Sequence, residues 1–487
     1  MTSIKQQMFS GIYYTALAKY SGIIISLVVT AILARLLSPD DFGVVAVATI
    51  IINFFSIFTN IGFSSAIIQN KELTKKDYWN IYSFTIWLGL VLGGLFFLSS
   101  QMIADYYGNV QLVPICRLLS VSLFFSAAST VSNSLFFKDK DFKFIAYRTL
   151  FIQILSGVLS VIAAFVGAGL YTLTIQPILS SLLIFVVSLN KYPQKFCLTL
   201  GLESVKRIWN YSIYQFLFNL VNYFTRNVDK LLIGKFMGMS PLGYYEKSYR
   251  LMMLPLQNIT YVITPVMHPI LSDYQHDKQR LGNAHERLIR LLAFIGFPLG
   301  VILYFCASEL ILIFFGNQWL PSIPVFKILS LTVGIQLLLS SSGSFYQAGN
   351  DTRGMFICGI FSTTVSVAAI LTGLFYFGTL EATAWCILLS FGLSFVQCYH
   401  LLYHSLLKRK VSHFYRQLLS PLILSFILSS TLYLISPTLE KECPKILSFV
   451  IKTILCLIIS VFYIQFTKEY NLYSKLKSVF QKYKRPE

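Results

Sequence analysis

The sequence predicts an all-α polytopic membrane protein with about 14 transmembrane helices, in two pseudo-symmetric six-helix lobes plus a C-terminal helix pair. Three observations predict it. Apolar stretches of about 20 residues, the length that crosses a bilayer, follow one another from end to end of the 487-residue chain. Only 12% of the residues are charged, well below the usage of soluble domains. Finally, residues 113–143 align without gaps on residues 323–353, so the chain repeats itself.

The predicted spans lie near 12–36, 43–68, 79–102, 113–137, 144–168, 170–190, 208–237, 243–270, 288–313, 322–347, 355–378, 380–403, 415–436 and 446–467. Treating spans 5–6 or 13–14 as re-entrant gives twelve instead. Basic residues concentrate in alternate loops: Lys71, Lys75 and Lys76; Lys138, Lys140, Lys143 and Arg148; Lys191, Lys195, Lys206 and Arg207; Lys278, Arg280, Arg287 and Arg290; Arg353; and Lys408, Arg409 and Lys410. The intervening loops are nearly bare of them, and the tail adds six more from Lys468 to Arg485. The positive-inside rule then places both termini and the basic loops in the cytoplasm. No cleavable signal peptide is expected, because the first apolar run is too long and lacks a small-residue cleavage site.

The formal net charge of +19 does not point to nucleic acid, since the cations lie where they set topology. Eight Cys without CxxC spacing and six His without ligand spacing argue against disulfides and metal sites. No GxxxxGK[ST], HExxH or GxSxG occurs, so neither a cofactor nor a catalytic centre is expected. The short outer loops leave no room for the site of an enzyme acting on an extracytoplasmic substrate. A secondary transporter remains.

Charges inside the spans locate its candidate site. Residues 209–269 form two predicted helices joined by Gly238-Met239-Ser240-Pro241-Leu242-Gly243. Arg226, Asp229 and Lys230 fall late in the first, and Glu246, Lys247 and Arg250 early in the second. Residues three or four apart share a helix face, which stacks Arg226 on Lys230 and Lys247 on Arg250. A charge deep in a bilayer costs roughly 2.5–3.5 kcal/mol unless it faces a bundle interior or a wet cavity. With Lys19 of span 1, these residues predict a cationic cavity that binds an anionic substrate, with Asp229 and Glu246 balancing part of the charge. Arg117 and Lys327, close to their span starts, read as interfacial.

The repeat assigns the domains. Pro114-Ile115-Cys116-Arg117-Leu118-Leu119-Ser120 meets Pro324-Val325-Phe326-Lys327-Ile328-Leu329-Ser330, and Asp141 meets Asp351, at an offset of 210. Gly108-Asn109 meets Gly316-Asn317 at 208, Gly89 and Gly93 meet Gly296 and Gly300 at 207, and Arg35 and Gly43 meet Lys235 and Gly243 at 200. This predicts an N-lobe over 1–200 (spans 1–6), a C-lobe over 201–410 (spans 7–12), and spans 13–14 with a basic cytoplasmic tail over 411–487. Transporters built from such repeats rock the halves about a central substrate.

The stretch Ile32-Leu33-Ala34-Arg35-Leu36-Leu37-Ser38-Pro39-Asp40-Asp41-Phe42-Gly43-Val44-Val45 resembles the N-terminal signature of Wzx-type polysaccharide flippases of the MOP exporter superfamily. Val228-Asp229-Lys230-Leu231-Leu232-Ile233-Gly234, with Leu242-Gly243-Tyr244-Tyr245 and Tyr249-Arg250-Leu251, is similar to that family's seventh and eighth helices, and Phe315-Gly316-Asn317-Gln318-Trp319-Leu320-Pro321 to the segment before its tenth. The resemblance implies a V-shaped pair of lobes. It implies transfer of undecaprenyl-diphosphate-linked oligosaccharide units from the inner to the outer leaflet of the bacterial cytoplasmic (inner) membrane. It also implies membrane lipids as partners, with a polysaccharide polymerase and chain-length machinery beside them, and an extra helix pair that shelters the polyprenyl tail. A diphosphate is a strong anion suited to Arg and Lys partners. An ion-coupled drug or small-molecule exporter of the MATE branch shares the superfold and stays open as the alternative, although it usually wants buried acids where this chain is mostly basic.

Overall fold

The computed structural model describes residues 4–59, 63–70, 72–198, 226–272 and 277–467, with Phe216, Leu220, Tyr223 and Phe224 in between. The basic tail beyond 467, and most of the 208–225 half of the seventh predicted span, lie outside the described residues. Among those described the chain is helical, with no strand. The helices are α1 (Ile4–Leu36), α2 (Pro39–Thr59), α3 (Phe63–Gln69), α4 (Lys75–Tyr107), α5 (Leu112–Lys138), α6 (Phe142–Phe165) and α7 (Thr172–Lys191). After α8, helical over 226–236, come α9 (Met239–Ser272), α10 (Lys278–Phe305), α11 (Ala307–Phe314), α12 (Ser322–Ser330), α13 (Thr332–Ala348), α14 (Thr352–Thr372), α15 (Leu380–Leu401), α16 (Ser412–Glu442) and α17 (Lys445–Phe466).

Eleven of these are long and apolar enough to cross a membrane, and the bent pair α12–α13 makes a twelfth. The protein is a multi-pass membrane protein. The two expected spans outside this set are the seventh, only partly described, and α9. That helix runs for 34 residues, but Glu246, Lys247, Arg250, Gln257 and Asn258 lower its hydropathy. The boundaries follow local chemistry. Thr74 and Asp77 form a reciprocal capping box at the start of α4. Asp141 caps α6 by accepting from the Phe144 amide. Its other oxygen accepts from Lys191, which holds the carboxyl below the ordinary carboxylate range.

The chain forms two units, Met1–Glu246 with Phe314–Gln318, and Lys247–Ile313 with Trp319–Glu487. In the first, α4 packs along α5, α5 along α7 and α2, and α1 along α6. In the second, α10 packs on α13 and α16, α14 on α15, and α16 on α17. The additional helix pair is therefore built onto α10, where Phe294 of α10 meets Leu424, Leu428 and Leu432 of α16 and Cys456 of α17.

The repeat recurs in local geometry. Asp351 caps α14 through the Gly354 amide at 2.8 Å, as Asp141 caps α6. The residue before each cap is left-handed, Lys140 at φ 58° and Asn350 at φ 57°. Gly108 and Gly316 supply left-handed turns at φ 67° and 92°. A methyl on Gly89 would press on Ala127 and Phe124, and one on Gly296 on Gly334 and Leu337, which are the same positions 210 residues later. Gly93 and Gly300 face the Ser120 and Ser330 carbonyls in the same way. Arg117 lies 5.0 Å from the Phe97 ring and Lys327 5.7 Å from the Tyr304 ring, so the two equivalent cations make equivalent aromatic contacts.

Candidate functional site

Two helix corners in the first unit carry the site. One joins α1 to α2 and the other joins α8 to α9, and every boundary in the second lies 200 residues after its counterpart. They cross reciprocally. A methyl on Gly43 would overlap the Met239 backbone, and a methyl on Gly243 would overlap the Pro39 carbonyl. Since 239 and 243 are the counterparts of 39 and 43, the contact is self-complementary, like that of a twofold interface. Only glycine permits this approach. Ser240 Oγ donates to Asp40 Oδ1 across the crossing at 3.2 Å.

The outer turns complete the exchange. Gln318 Nε2 donates to the Ala34 and Leu37 carbonyls at the end of α1. Lys235 Nζ donates to the Tyr106 carbonyl and lies 4.4 Å from that ring, while Tyr107 Oη donates to the Leu231 carbonyl at 3.4 Å. The signature stretch at 32–45, residues 228–245 and the 315–318 part of the third stretch therefore meet in the first unit, and their glycines and turns close the crossing.

The charges sit directly below this crossing, on one corner only. Lys230 Nζ lies 3.1 Å from Glu246 Oε2, with side chains 13% and 25% exposed. Tyr245, itself buried, donates its hydroxyl to Asp229 Oδ2 at 2.7 Å, and Asp229 Oδ1 is enclosed without a hydrogen-bond partner. Arg226 is exposed on α8, and Lys19 is half-buried on α1. On α9, Lys247 is 4% exposed and Arg250 is exposed; both belong to the second unit. Of the seven predicted residues, then, Lys230 and Glu246 are paired, and Asp229 is held from α9 by Tyr245. In the α1–α2 corner, the positions 200 earlier than Arg226, Asp229, Lys230, Glu246, Lys247 and Arg250 are Ser26, Val29, Thr30, Ala46, Val47 and Ile50. The α1–α2 corner has no charge at any of these six positions.

Three other buried charges escape the sequence reading. Arg148, expected among loop cations, is 8% exposed. It spans α5, α6 and α7 by donating to Asn133 Oδ1 and Ser188 Oγ at 2.9 and 2.8 Å. Lys452 and Glu309, absent from the predicted mid-span charges, are both fully buried and pair at 2.6 Å. Lys452 also reaches Glu440 at 2.9 Å and the Phe305 carbonyl at 3.0 Å, and Ser448 donates to Glu309 at 2.7 Å. Lys452 and Glu309 fall inside predicted spans, and that position was the signal available. Among the described residues, no group of His, Cys, Asp and Glu could hold a metal ion.

Residues 32–324 match the family model described as polysaccharide biosynthesis protein. Among curated proteins, the chain is 25% identical to the teichuronic acid biosynthesis protein TuaB of Bacillus subtilis (strain 168), over 71% of this chain and 72% of that one. It is 24% identical to the lipopolysaccharide biosynthesis protein WzxC of Escherichia coli (strain K12), over 88% and 86%. It is 23% identical to the succinoglycan biosynthesis transport protein ExoT of Rhizobium meliloti (strain 1021), over 76% and 75%. Among solved structures, it superposes on the lipid II flippase MurJ in an inward closed conformation with a TM-score of 0.72 and 15% identity, covering 94% of this chain and 99% of that one. An inward-facing MATE-family multidrug transporter of the MOP superfamily gives 0.58 and 14%, over 81% and 99%. At these identities the structural likenesses establish the fold alone.

Proposed function

This chain belongs to the polysaccharide biosynthesis protein family, and on that premise we propose that it is a secondary transporter. Its substrate is an undecaprenyl-diphosphate-linked oligosaccharide, flipped from the inner to the outer leaflet of the bacterial cytoplasmic membrane for polysaccharide assembly. The names of its relatives, a teichuronic acid, a lipopolysaccharide and a succinoglycan protein, support the polysaccharide side of the reading. The observation that carries the anionic side is the unequal pair of corners. A charge inside the membrane costs several kcal/mol unless it is paired or faces a wet cavity, so charges there are by default a pointer to function. The α1–α2 corner keeps its charges, Arg35, Asp40 and Asp41, in the turn itself and has none at the positions equivalent to the six charges of the α8–α9 corner, so those six are not required to make the crossing.

In this reading Lys19, Arg226, Lys230, Lys247 and Arg250 supply cations to the diphosphate, while Asp229 and Glu246 limit the net charge. Both termini face the cytoplasm, and a polymerase with its chain-length machinery receives the product outside. The lobes are assigned as 1–200 and 201–410, with 411–487 as an added pair and tail. The test is reconstitution. Proteoliposomes carrying the chain should move a lipid-diphosphate-linked oligosaccharide between leaflets faster than empty vesicles. Unchanged lipid movement together with dye or drug efflux would favour the exporter alternative.

A further inference from the structure

The two acids of the charged corner are built differently. Asp229 is fixed, with its carboxyl enclosed and gripped by the buried Tyr245 hydroxyl. Glu246 is not. Its Oε2 is also enclosed and lies 3.1 Å from Lys230, but it receives no aligned hydrogen bond among the described residues, while a quarter of the side chain is exposed. An ion pair without a directed hydrogen bond holds its partners less firmly than a hydrogen-bonded one, and the exposed part of the side chain gives the carboxylate room to move. The counterpart positions Thr30 and Ala46 make no such pair, so the corner does not depend on it.

A transporter of a diphosphate faces a particular difficulty. Cations strong enough to draw the anion in also hold it back, and affinity differences between related complexes lie mostly in the dissociation rate. A carboxylate that competes for the same cation removes the difficulty. We infer that Glu246 is a release residue: its carboxylate exchanges with the substrate's diphosphate for the Lys230 ammonium, taking the cation back as the substrate leaves. In the structure the carboxylate has the cation. This rests on the transport reading above and adds a direction to it, because the same lysine is cationic to an arriving diphosphate and neutralised once Glu246 returns.

The test uses the purified full-length chain in lipid nanodiscs, with undecaprenyl diphosphate as the probe, and follows bound lipid by native mass spectrometry. Glu246→Gln removes the competitor and should tighten binding about tenfold, while export in a flippase-null strain falls. Lys230→Ala should weaken binding about tenfold, and adding Glu246→Gln to it should change nothing further. Tighter binding with slower export is a combination that a general folding defect does not produce. Should Glu246→Gln accumulate poorly, Glu246→Asp draws the carboxylate back from Lys230 and should tighten binding by less, in the same direction. If Glu246→Gln binds as the wild type does, or more weakly, while Lys230→Ala is impaired, the release role is wrong and the cationic site stands. If the wild type and Lys230→Ala bind alike, Lys230 is not a diphosphate partner and the inference falls with that part of the transport reading.

Discussion

The α1–α2 and α8–α9 corners share boundaries, a reciprocal glycine crossing and the turns that cap them, yet differ in chemistry. One places Val29, Thr30, Val45 and Ala46 under the crossing, and the other places Asp229, Lys230, Tyr245 and Glu246 there. An internal repeat thus supplies its own control. What the two corners share belongs to the fold, namely the close approach at Gly43 and Gly243. What only the α8–α9 corner has is what the proposed function assigns to the ligand. A second contrast runs the other way. Gln101, the position in α4 that precedes Glu309 of α11 by 208 residues, is exposed and donates to Asp105. Glu309 is fully buried against Lys452, because α16 and α17 pack over the α10–α11 end in the second unit. That charge follows from an added structural element and is read as structural.

Each contrast can be broken. The largest effect should come from the shared feature. Gly43→Val and Gly243→Val each drive a branched side chain into backbone, which has little room to yield, and each should lose at least about 3 kcal/mol. Thermal unfolding in detergent should give similar losses for the two. A tolerated Gly243→Val beside an intolerable Gly43→Val would break the equivalence of the corners.

The second contrast predicts a recoverable loss. Lys452→Met leaves Glu309 buried without its cation, which costs about 3–5 kcal/mol. Glu309→Leu combined with Lys452→Met removes both charges and should regain most of that stability. If the double variant stays as unstable as the single, the pair does more than fasten α17. Smallest of all should be Arg117→Ala and Lys327→Ala. Each gives up a cation–aromatic contact worth about 0.5–1 kcal/mol at an exposed site, and both should leave export unchanged. A strong export defect in one alone would place that residue in the site.

Much of this was legible in the sequence because helix length, capping and repetition leave marks on neighbouring residues. Asp141 with Asp351, and Gly43 with Gly243, mark the repeat in the sequence; that the first pair caps helices and the second permits the crossing came from the structure. Which acid meets which cation was not legible. Glu246 pairs with Lys230 because two helices cross at a particular phase, and a 16-residue separation does not fix that phase. Lys452 and Glu309 come from segments that meet only after α17 docks on α10 and α11. Arg148 lies within two turns of its helix start, where a long side chain ordinarily reaches water; here α5 and α7 close over it.

The central claim is that the unshared charges serve the ligand and not the fold. It is tested most directly by Lys19→Ala combined with Arg226→Ala, scored by complementation of polysaccharide export in a flippase-null strain, with protein abundance in the membrane measured in parallel. The account predicts that export is abolished while abundance stays within about twofold of the wild type, as expected for substitutions away from the packed core. Full export by the double variant would contradict it.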